Sequence, residues 1–592
     1  MTSIFYFIII ILIAYGLGKL LFNLFIRKPN SLLEDFTFSV GLGLALLGYV
    51  VYIIGSLGFL YQKYILTALM LCVLVAIYPA YRFIYGFRHY NISKTIKSLN
   101  IFEKFLIGII IFVPVVCLFG ALAPEIGNDT LSYHLYHPKI FIENHKIGYI
   151  PFTRESLWPY LAEMLFTMGL ILKSVTVAKL FHYFFGILSA MAVFSFTRKF
   201  FSQKVALLAT ALFLSAPGIF MQMVYSYIDL AQCFYSFLAF YVLMLWMESK
   251  HIRLLMLSAV FVGLTISVKL LGGITLLVLC LIMLLEFIRI KTNYKNMLKY
   301  FFIFGFITFL VCCVWYIRSY FVLGNPVYPF LHNIFGTGWE TNINVDVGTK
   351  KDFLGFLMLP WDVVMQLDSF GGQQIGVIFL AFLPFLFFVS LKNYPQHYLF
   401  IFLICHALLW FVVDPQLRFT FANFAVAFIL ISIGFYGALR KYNLSFIKIL
   451  LLICILFNMV LCVYYNIDAI KLSFGLTSKE NYILHKERTY PIATFVNKNF
   501  PSNSVVIAIC EPRGFYFDRK IIFYDIWENV TKGNIYPYIA KLKKDKVPVY
   551  LLFRDDGDLG QFKTTIAAKI PIYKIAREVD EGRFASYYLF EL

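Results

Sequence analysis

Residues 156–172, Ser-Leu-Trp-Pro-Tyr-Leu-Ala-Glu-Met-Leu-Phe-Thr-Met-Gly-Leu-Ile-Leu, decide how the rest of the chain is threaded. They are apolar but short and carry Pro159 and Glu163, so a spanning helix and an interfacial helix both fit. The chain around them is 592 residues long, 61% hydrophobic, 19% aromatic and only 14% charged, which excludes a soluble multidomain protein. Apolar runs recur at 4–26, 37–59, 64–83, 101–123, 175–197, 206–222, 229–247, 254–268, 271–289, 300–320, 374–391, 397–413, 417–438 and 446–465. Runs of about twenty residues are what a hydrocarbon core about 30 Å thick demands of a helix rising about 1.5 Å per residue. The first run lacks a basic leader and a small-residue cleavage site and reads as a span.

Charge chooses between the two readings of 156–172. If that segment lies along the surface, Arg27/Lys28, Arg82/Arg88/Lys94/Lys97/Lys104, Arg198/Lys199/Lys204, Lys250/Arg253, Arg289/Lys291/Lys295/Lys299, Lys392 and Arg440/Lys441/Lys448 all fall on one side. Cytoplasmic loops carry such an excess of Lys and Arg. If the segment spans, every cluster from Arg198 onward changes sides and contradicts those before it. The reading is therefore an all-α polytopic membrane protein of fourteen spans, with loops 124–174 and 321–373 and the C-terminal region on the outer side. The net charge of +19 is accounted for largely by these short loops, so nucleic acid is a poor inference and membrane lipids are the implied surroundings. Nine of the ten cysteines lie in apolar runs and only Cys510 belongs to a polar region, so no disulfide framework or cysteine-based zinc site is visible.

Loop 124–174 opens on Glu125-Ile126-Gly127-Asn128-Asp129-Thr130-Leu131-Ser132-Tyr133-His134-Leu135-Tyr136-His137-Pro138-Lys139. Two carboxylates, two imidazoles and an ammonium directly after an apolar run mark a candidate catalytic loop, because ionisable groups at a membrane boundary are costly to hold. A solvated connecting loop is the plain alternative. Two amphipathic pieces, about 130–145 and 156–172, are expected to rest on the membrane surface and frame a cavity. Loop 321–373 is too long for a connector and rich in Gly, Pro, Asn and Asp, as lids and binding loops are.

Three regions follow: residues 1–100 as N-terminal spans, 101–465 as the transmembrane module, and 466–592 as a small extracytoplasmic α/β domain. In the last, helices at 489–500 and 536–544 alternate with strands at 505–509, 520–524 and 547–553, which predicts a parallel sheet. It has no glycine-rich phosphate loop, and a structural or acceptor-docking cap is the favoured reading. No short-period repeat or low-complexity tract is present.

With this topology Asp129, His134, His137, Lys139, Glu163, Asp229, Lys269, Arg318 and Arg418 collect at the outer surface although they are far apart in sequence. Side chains reaching for the interface would account for each singly. The positive-inside rule, however, leaves few cations at outer helix ends, and Lys139, Lys269, Arg318 and Arg418 are all there. Such a ring suits a lipid phosphate, which an Arg grips as a fork and a Lys as a point charge. A carboxylate at the lip of a dry cavity suits a general base, and Asp129 is the first choice, with Glu125 or Glu163 as helper. Two histidines three apart near Asp129 are a weak signal for a divalent metal, and none is assigned.

The run Asn128-Asp129-Thr130-Leu131-Ser132-Tyr133-His134-Leu135 followed by Pro138-Lys139 resembles the first extracytoplasmic loop of bacterial GT-C glycosyltransferases. That superfamily includes the protein O-mannosyltransferases and the lipid A aminoarabinose transferase. Tyr227-Ile228-Asp229 resembles its Tyr-x-Asp opening a span, and Gly263 to Lys269 its Gly-rich span ending in Lys. Trp315-Tyr316-Ile317-Arg318 with Gly324-Asn325-Pro326-Val327-Tyr328-Pro329-Phe330 is similar to its Trp-x-x-Arg, Gly-Asn-Pro segment, and Gln416-Leu417-Arg418-Phe419 to its Gln-x-Arg-aromatic start of a late span.

The resemblance covers about residues 101–440. It implies a polyprenyl-phosphate-linked sugar as donor, inversion at the anomeric carbon, and Asp129 as base. It also implies a glycan, lipid or protein acceptor at the outer face of the cytoplasmic membrane. Lys139, Lys269, Arg318 and Arg418 would hold the donor phosphate, and Glu125, His134, His137, Glu163, Asp229 and Tyr328 would meet sugar or acceptor. The chain departs from the usual side-by-side acid pair, since Asp129 neighbours Asn128, and its three spans before residue 101 are additional. A polymerase or ligase using a diphosphate-linked donor, and a transporter or flippase for lipid-linked glycans, are the rival readings.

Overall fold

The computed structural model describes residues 2–26, 29–88, 99–150, 153–335, 348–392, 394–442, 445–509, 511–524, 535–554, 571–580 and 583–592. Cys510, Arg27, Lys28, Lys94, Lys97 and part of loop 321–373 lie outside these residues. The nine described cysteines are unpaired.

Helices run in the order α1 (Thr2–Phe25), α2 (Leu32–Ser56), α3 (Gln62–Arg88), α4 (Ile101–Leu122), α5 (Tyr136–Glu143), α6 (Leu161–Ile171) and α7 (Val175–Phe200). Next come α8 (Gln203–Ser215), α9 (Pro217–Gln222), α10 (Asp229–Ser249), α11 (Ile252–Val268), α12 (Gly273–Arg289) and α13 (Tyr294–Leu323). After loop 324–376, in which Phe353–Met365 is helical, α14 (Val377–Phe382), α15 (Tyr394–Val413), α16 (Phe421–Tyr442) and α17 (Ser445–Ser473) complete the bundle.

Among the described residues eleven helical stretches are long and apolar enough to cross a membrane, and each coincides with an expected span. The other three expected spans are shorter helices. Pro217 divides 206–222 into α8 and α9 at a position where proline starts a helix well, α11 is 17 residues long, and 374–391 tightens after Phe382 into a 3₁₀ turn containing Pro384.

The N-terminal helices are packed into the bundle, not appended to it. A Cβ on Gly18 would collide with the Ser39 carbonyl oxygen, and one on Gly43 with that of Ala14, so only glycine lets α1 and α2 approach this closely. Tyr235 donates to the Gly41 carbonyl at 2.8 Å and Tyr241 to the Glu34 carboxylate at 2.8 Å, tying α2 to α10. Tyr49 donates to the Val311 carbonyl at 2.6 Å, tying α2 to α13.

Helix α6 does not lie on a surface. Every residue from Leu161 to Gly169 is buried, packed among α2, α5 and α7. Its apolar side chains surround the helix with no polar stripe, and a helix apolar on all sides is enclosed. The expectation of an interfacial amphipathic helix at 156–172 is corrected accordingly; the segment is also too short to span.

Beyond α17, helices α18 (Lys479–Lys486), α19 (Tyr490–Asn499) and α20 (Ile535–Lys544) accompany a five-stranded sheet. Its strands are β1 (Val505–Ile509), β2 (Lys520–Tyr524), β3 (Val549–Arg554), β4 (Tyr573–Asp580) and β5 (Arg583–Glu591), in the order β2-β1-β3-β5-β4. β1 pairs parallel with β2 and β3, as expected, and is buried throughout. The sheet as a whole is mixed, because β5 runs antiparallel to β3 and β4. That hairpin escaped the sequence reading because β4 is an edge strand without a clean apolar alternation, Lys574 standing exposed between Tyr573 and Ile575.

The glycine contact between α1 and α2 gives the first prediction. Gly43→Val should destabilise the bundle by about 1–3 kcal/mol, as overpacking does, measured as a lower unfolding temperature in detergent, whereas Gly305→Val, in open space on α13 with ordinary helical backbone, should overpack nothing.

Candidate functional site

The turn after α4 is held from both sides. Lys179 on α7 donates to the carbonyls of Gly120 (2.9 Å), Ala123 (2.8 Å) and Pro124 (3.2 Å), a cation at a helix C-terminus, where the dipole favours one. Glu125, fully buried, accepts from the backbone N–H groups of Ile126 (2.9 Å) and Gly127 (2.8 Å) through one oxygen and from Ser226 (2.8 Å) through the other. This carboxylate fixes the loop against the start of α10, so it is placed to organise backbone and not to meet a ligand.

Asp129 follows at the start of a π-helical turn, Thr130–His134, in which the Leu135 N–H reaches the Thr130 carbonyl at 2.9 Å. Such widened turns are frequent at functional sites. The Asp129 Oδ2 accepts from the Tyr133 hydroxyl at 3.0 Å and lies 2.6 Å from Nη1 of Arg418, with the carboxylate side chain 20% exposed. Arg418 is carried by the 3₁₀ turn Leu417–Thr420. The Gln416 side-chain oxygen accepts from its Nε (3.3 Å) and Nη2 (3.1 Å), and the rings of Tyr227 and Phe419 flank it at 5.4 and 5.1 Å.

Beside this pair stands a second. Lys269, at the end of α11, donates to Asp229 Oδ1 at 3.0 Å, and its ammonium sits 3.2 Å from the centre of the Phe419 ring. Phe419 thus serves two cations through its face. Four segments far apart in sequence bring together charges of alternating sign: Asp129, Arg418, Asp229 and Lys269.

Below the Asp129 turn lies a buried histidine layer. His134 Nδ1 is 2.8 Å from Glu163 Oε1, and His137 Nδ1 is 2.5 Å from the Tyr160 hydroxyl, which donates to the Glu155 carbonyl at 2.7 Å. Several buried polar atoms around the site have no hydrogen-bond partner: Thr130 Oγ1, His137 Nε2, Glu163 Oε2, Asp229 Oδ2 and Arg318 Nη1. Buried polar groups generally find partners, so these atoms have valences to offer a ligand.

The remaining expected site residues are Arg318, beside the histidine layer, and Lys139 and Tyr328. Arg318, on α13, donates to the carbonyls of Ser156 (2.5 Å) and Gly148 (3.3 Å) and lies 5.9 Å from the centre of the Tyr160 ring. Lys139 donates to the carbonyls of Phe515 (3.1 Å) and Phe517 (2.5 Å), so its ammonium is committed to the C-terminal domain. Tyr328 is buried in the turn after α13. Among the described residues no group of three or more His, Cys, Asp or Glu is arranged to hold a metal ion.

Electrostatics sets the protonation states. Burial pushes the Asp129 carboxyl up, but the charges of Arg418 and His134 outweigh it and hold the group down at about 2, so it is ionised at neutral pH. Burial, then His134 and Arg318, push His137 down to about 3, which makes it neutral there. Tyr133, which the sequence reading passed over as a partner of Asp129, is pushed up by burial and the adjacent carboxylate and stays a donor. The four-residue spacing of Asp129 and Tyr133, one helical turn, was the signal available for it.

Fold and site define a class: a polytopic helical membrane protein with paired acids and bases at one end of its bundle, closed by a small α/β domain. Its architecture is similar to that of ArnT from Cupriavidus metallidurans. The apo structure superposes with a TM-score of 0.55 at 14% identity, covering 81% of this chain and 97% of that one. The structure bound to undecaprenyl phosphate gives 0.54 at 13% over the same shares. The chain shares ArnT's fold, the kind of fold that the resemblance of its motifs led one to expect. No family model matches the sequence. An uncharacterized protein of Shigella flexneri is 25% identical over 167 residues, 28% of this chain and 88% of that protein.

The Asp129–Arg418 pair has a signature in stability. Asp129 ordinarily titrates at 3.8 and here near 2, so the unfolded chain binds the extra proton between those values and the pair's contribution is lost as pH falls through that window. Lowering the pH from 6 to 2.5 should therefore cost the wild type more thermal stability than Asp129→Asn, compared by detergent unfolding at both pH values.

Proposed function

We propose that the chain is an integral membrane glycosyltransferase, taking a sugar from a polyprenyl phosphate at the outer face of the cytoplasmic membrane. The acceptor is a lipid-linked glycan, a lipid or a protein, and the anomeric centre inverts. The observation that carries this reading is the Asp129 carboxylate facing Arg418, with Lys269 and Asp229 alongside, at one end of a bundle folded like ArnT. ArnT has been crystallised with undecaprenyl phosphate, a ligand of the class this cation pair would suit.

In this mechanism the donor phosphate lies against Arg418 and Lys269. The guanidinium then exchanges its contact with Asp129 for one with phosphate oxygen, and the carboxylate loses the charge that holds its basicity down. Asp129 takes the proton of the acceptor hydroxyl while the acceptor oxygen bonds to the anomeric carbon. The bond from that carbon to the phosphate oxygen breaks, and polyprenyl phosphate leaves with its new charge on the two cations. Tyr133 keeps the carboxylate aimed. His134 with Glu163, Asp229 through its unpartnered oxygen, and Tyr328 would orient sugar or acceptor. Arg318, one nitrogen unpartnered, offers a further point of positive charge. Lys139 and Glu125 are removed from ligand binding in this reading, because backbone groups already occupy them.

Detergent-purified protein should transfer sugar from a polyprenyl monophosphate donor. Asp129→Asn should lower kcat by about 10²- to 10⁴-fold, the usual worth of a general base, without lowering the unfolding temperature at neutral pH by more than a few degrees. Arg418→Met should raise the donor KM. Absence of transfer from any polyprenyl-linked sugar would overturn the proposal, and transfer from a diphosphate donor alone would move the enzyme to the polymerase or ligase class.

A further inference from the structure

The segment 513–517, between β1 and β2 of the C-terminal domain, grips the loop that carries Asp129. The Leu131 carbonyl accepts from both the Gly514 and the Phe515 N–H, at 3.1 and 3.2 Å. The Tyr516 hydroxyl donates to the Glu125 carbonyl at 2.7 Å. Lys139 reaches back to the Phe515 and Phe517 carbonyls, and the Tyr136 hydroxyl donates to the Ile521 carbonyl at 2.9 Å. These contacts bracket Asp129 from four residues before it to ten after it. They are also tight: a Cβ on Gly514 would lie 2.7 Å from the Tyr136 ring, closer than side-chain atoms pack.

The root of the segment is equally fixed. Arg513 is buried and donates to both oxygens of Glu511, at 2.8 and 2.9 Å, and to Glu487 at 3.1 Å. Glu511 also accepts from the Tyr587 hydroxyl at 2.9 Å and lies within 3.4 and 3.6 Å of Arg488 and Arg554. A buried network of this kind is costly unless every member is satisfied, and it rigidifies what it holds. It joins β3, β5 and the turn before α19 to the foot of one five-residue strap.

We infer that this strap is a positioning element for Asp129: the C-terminal domain sets the place of the general base against Arg418 and Tyr133, in addition to closing the site. Gly514 and Tyr516 are its working residues and Arg513 its anchor. The inference rests on the function proposed above and adds a role for a domain otherwise read as a cap. Its physical basis is that a base displaced by about 1 Å can lose about 10²-fold in rate.

The test uses the full chain carrying Tyr516→Phe, which removes one hydroxyl and keeps the ring, and separately Gly514→Ala. Lys574→Ala on the edge strand β4 is the control. Both strap variants should lower kcat about ten- to a hundredfold at unchanged donor KM, and the acid limb of the pH–rate profile should move to higher pH as Asp129 loses its close pairing with Arg418. Amide exchange should rise in residues 125–139 and remain as in wild type elsewhere in the bundle, a readout independent of turnover. Wild-type rates and exchange in both variants would overturn the inference, as would a loss of rate accompanied by exchange raised throughout the C-terminal domain. An inactive wild type would overturn the proposed function, while local exchange in 125–139 would still report whether the strap holds the loop.

Discussion

An ionised group held at the edge of a hydrocarbon layer needs an opposite charge beside it, and that requirement shapes this end of the molecule. Asp129 comes from the first long loop, Arg418 from the start of a late helix, Asp229 from the first residue of α10 and Lys269 from the end of α11. Each would be expensive alone. Two salt bridges, at 2.6 and 3.0 Å, meet the cost for all four and fix where four segments end. The aromatic rings beside them lower the local dielectric and so strengthen the attraction.

The packing behind the site serves the same end. Helix α6, wholly enclosed, carries Glu163 to His134 and so supports the π-helical turn from beneath, while Lys179 and Glu125 hold its approach. The N-terminal helices give α6 one of its walls, which is why they sit inside the bundle and why glycine is required where α1 meets α2. A site that must hold paired charges without yielding stands on close-packed helices and not on mobile loops.

Much of this was legible in the chain. Long apolar runs gave the helices, because lipid leaves the backbone few alternatives. Lys269 and Arg418 stood out as cations where the positive-inside rule leaves few, and Asp129 and Asp229 as carboxylates at a membrane boundary. Their pairing was not legible, because nothing in one sequence says which of several acids meets which base; that choice is made by tertiary packing. Lys139 was misjudged for a related reason: its charge suggested a phosphate, whereas its partners are carbonyls nearly four hundred residues later. Residues 156–172 show how an apolar segment can be too short to span, yet be neither amphipathic nor exposed.

One consequence follows from the contact between Tyr516 and Glu125, which are 391 residues apart. A ribosome delivers the loop long before it delivers the strap, so during synthesis Asp129 exists without the contacts that bracket it. The transmembrane helices are made first, and the contacts around the Asp129 loop are completed only once residues 514–521 have emerged. A product truncated before residue 513, however well inserted, would lack those contacts.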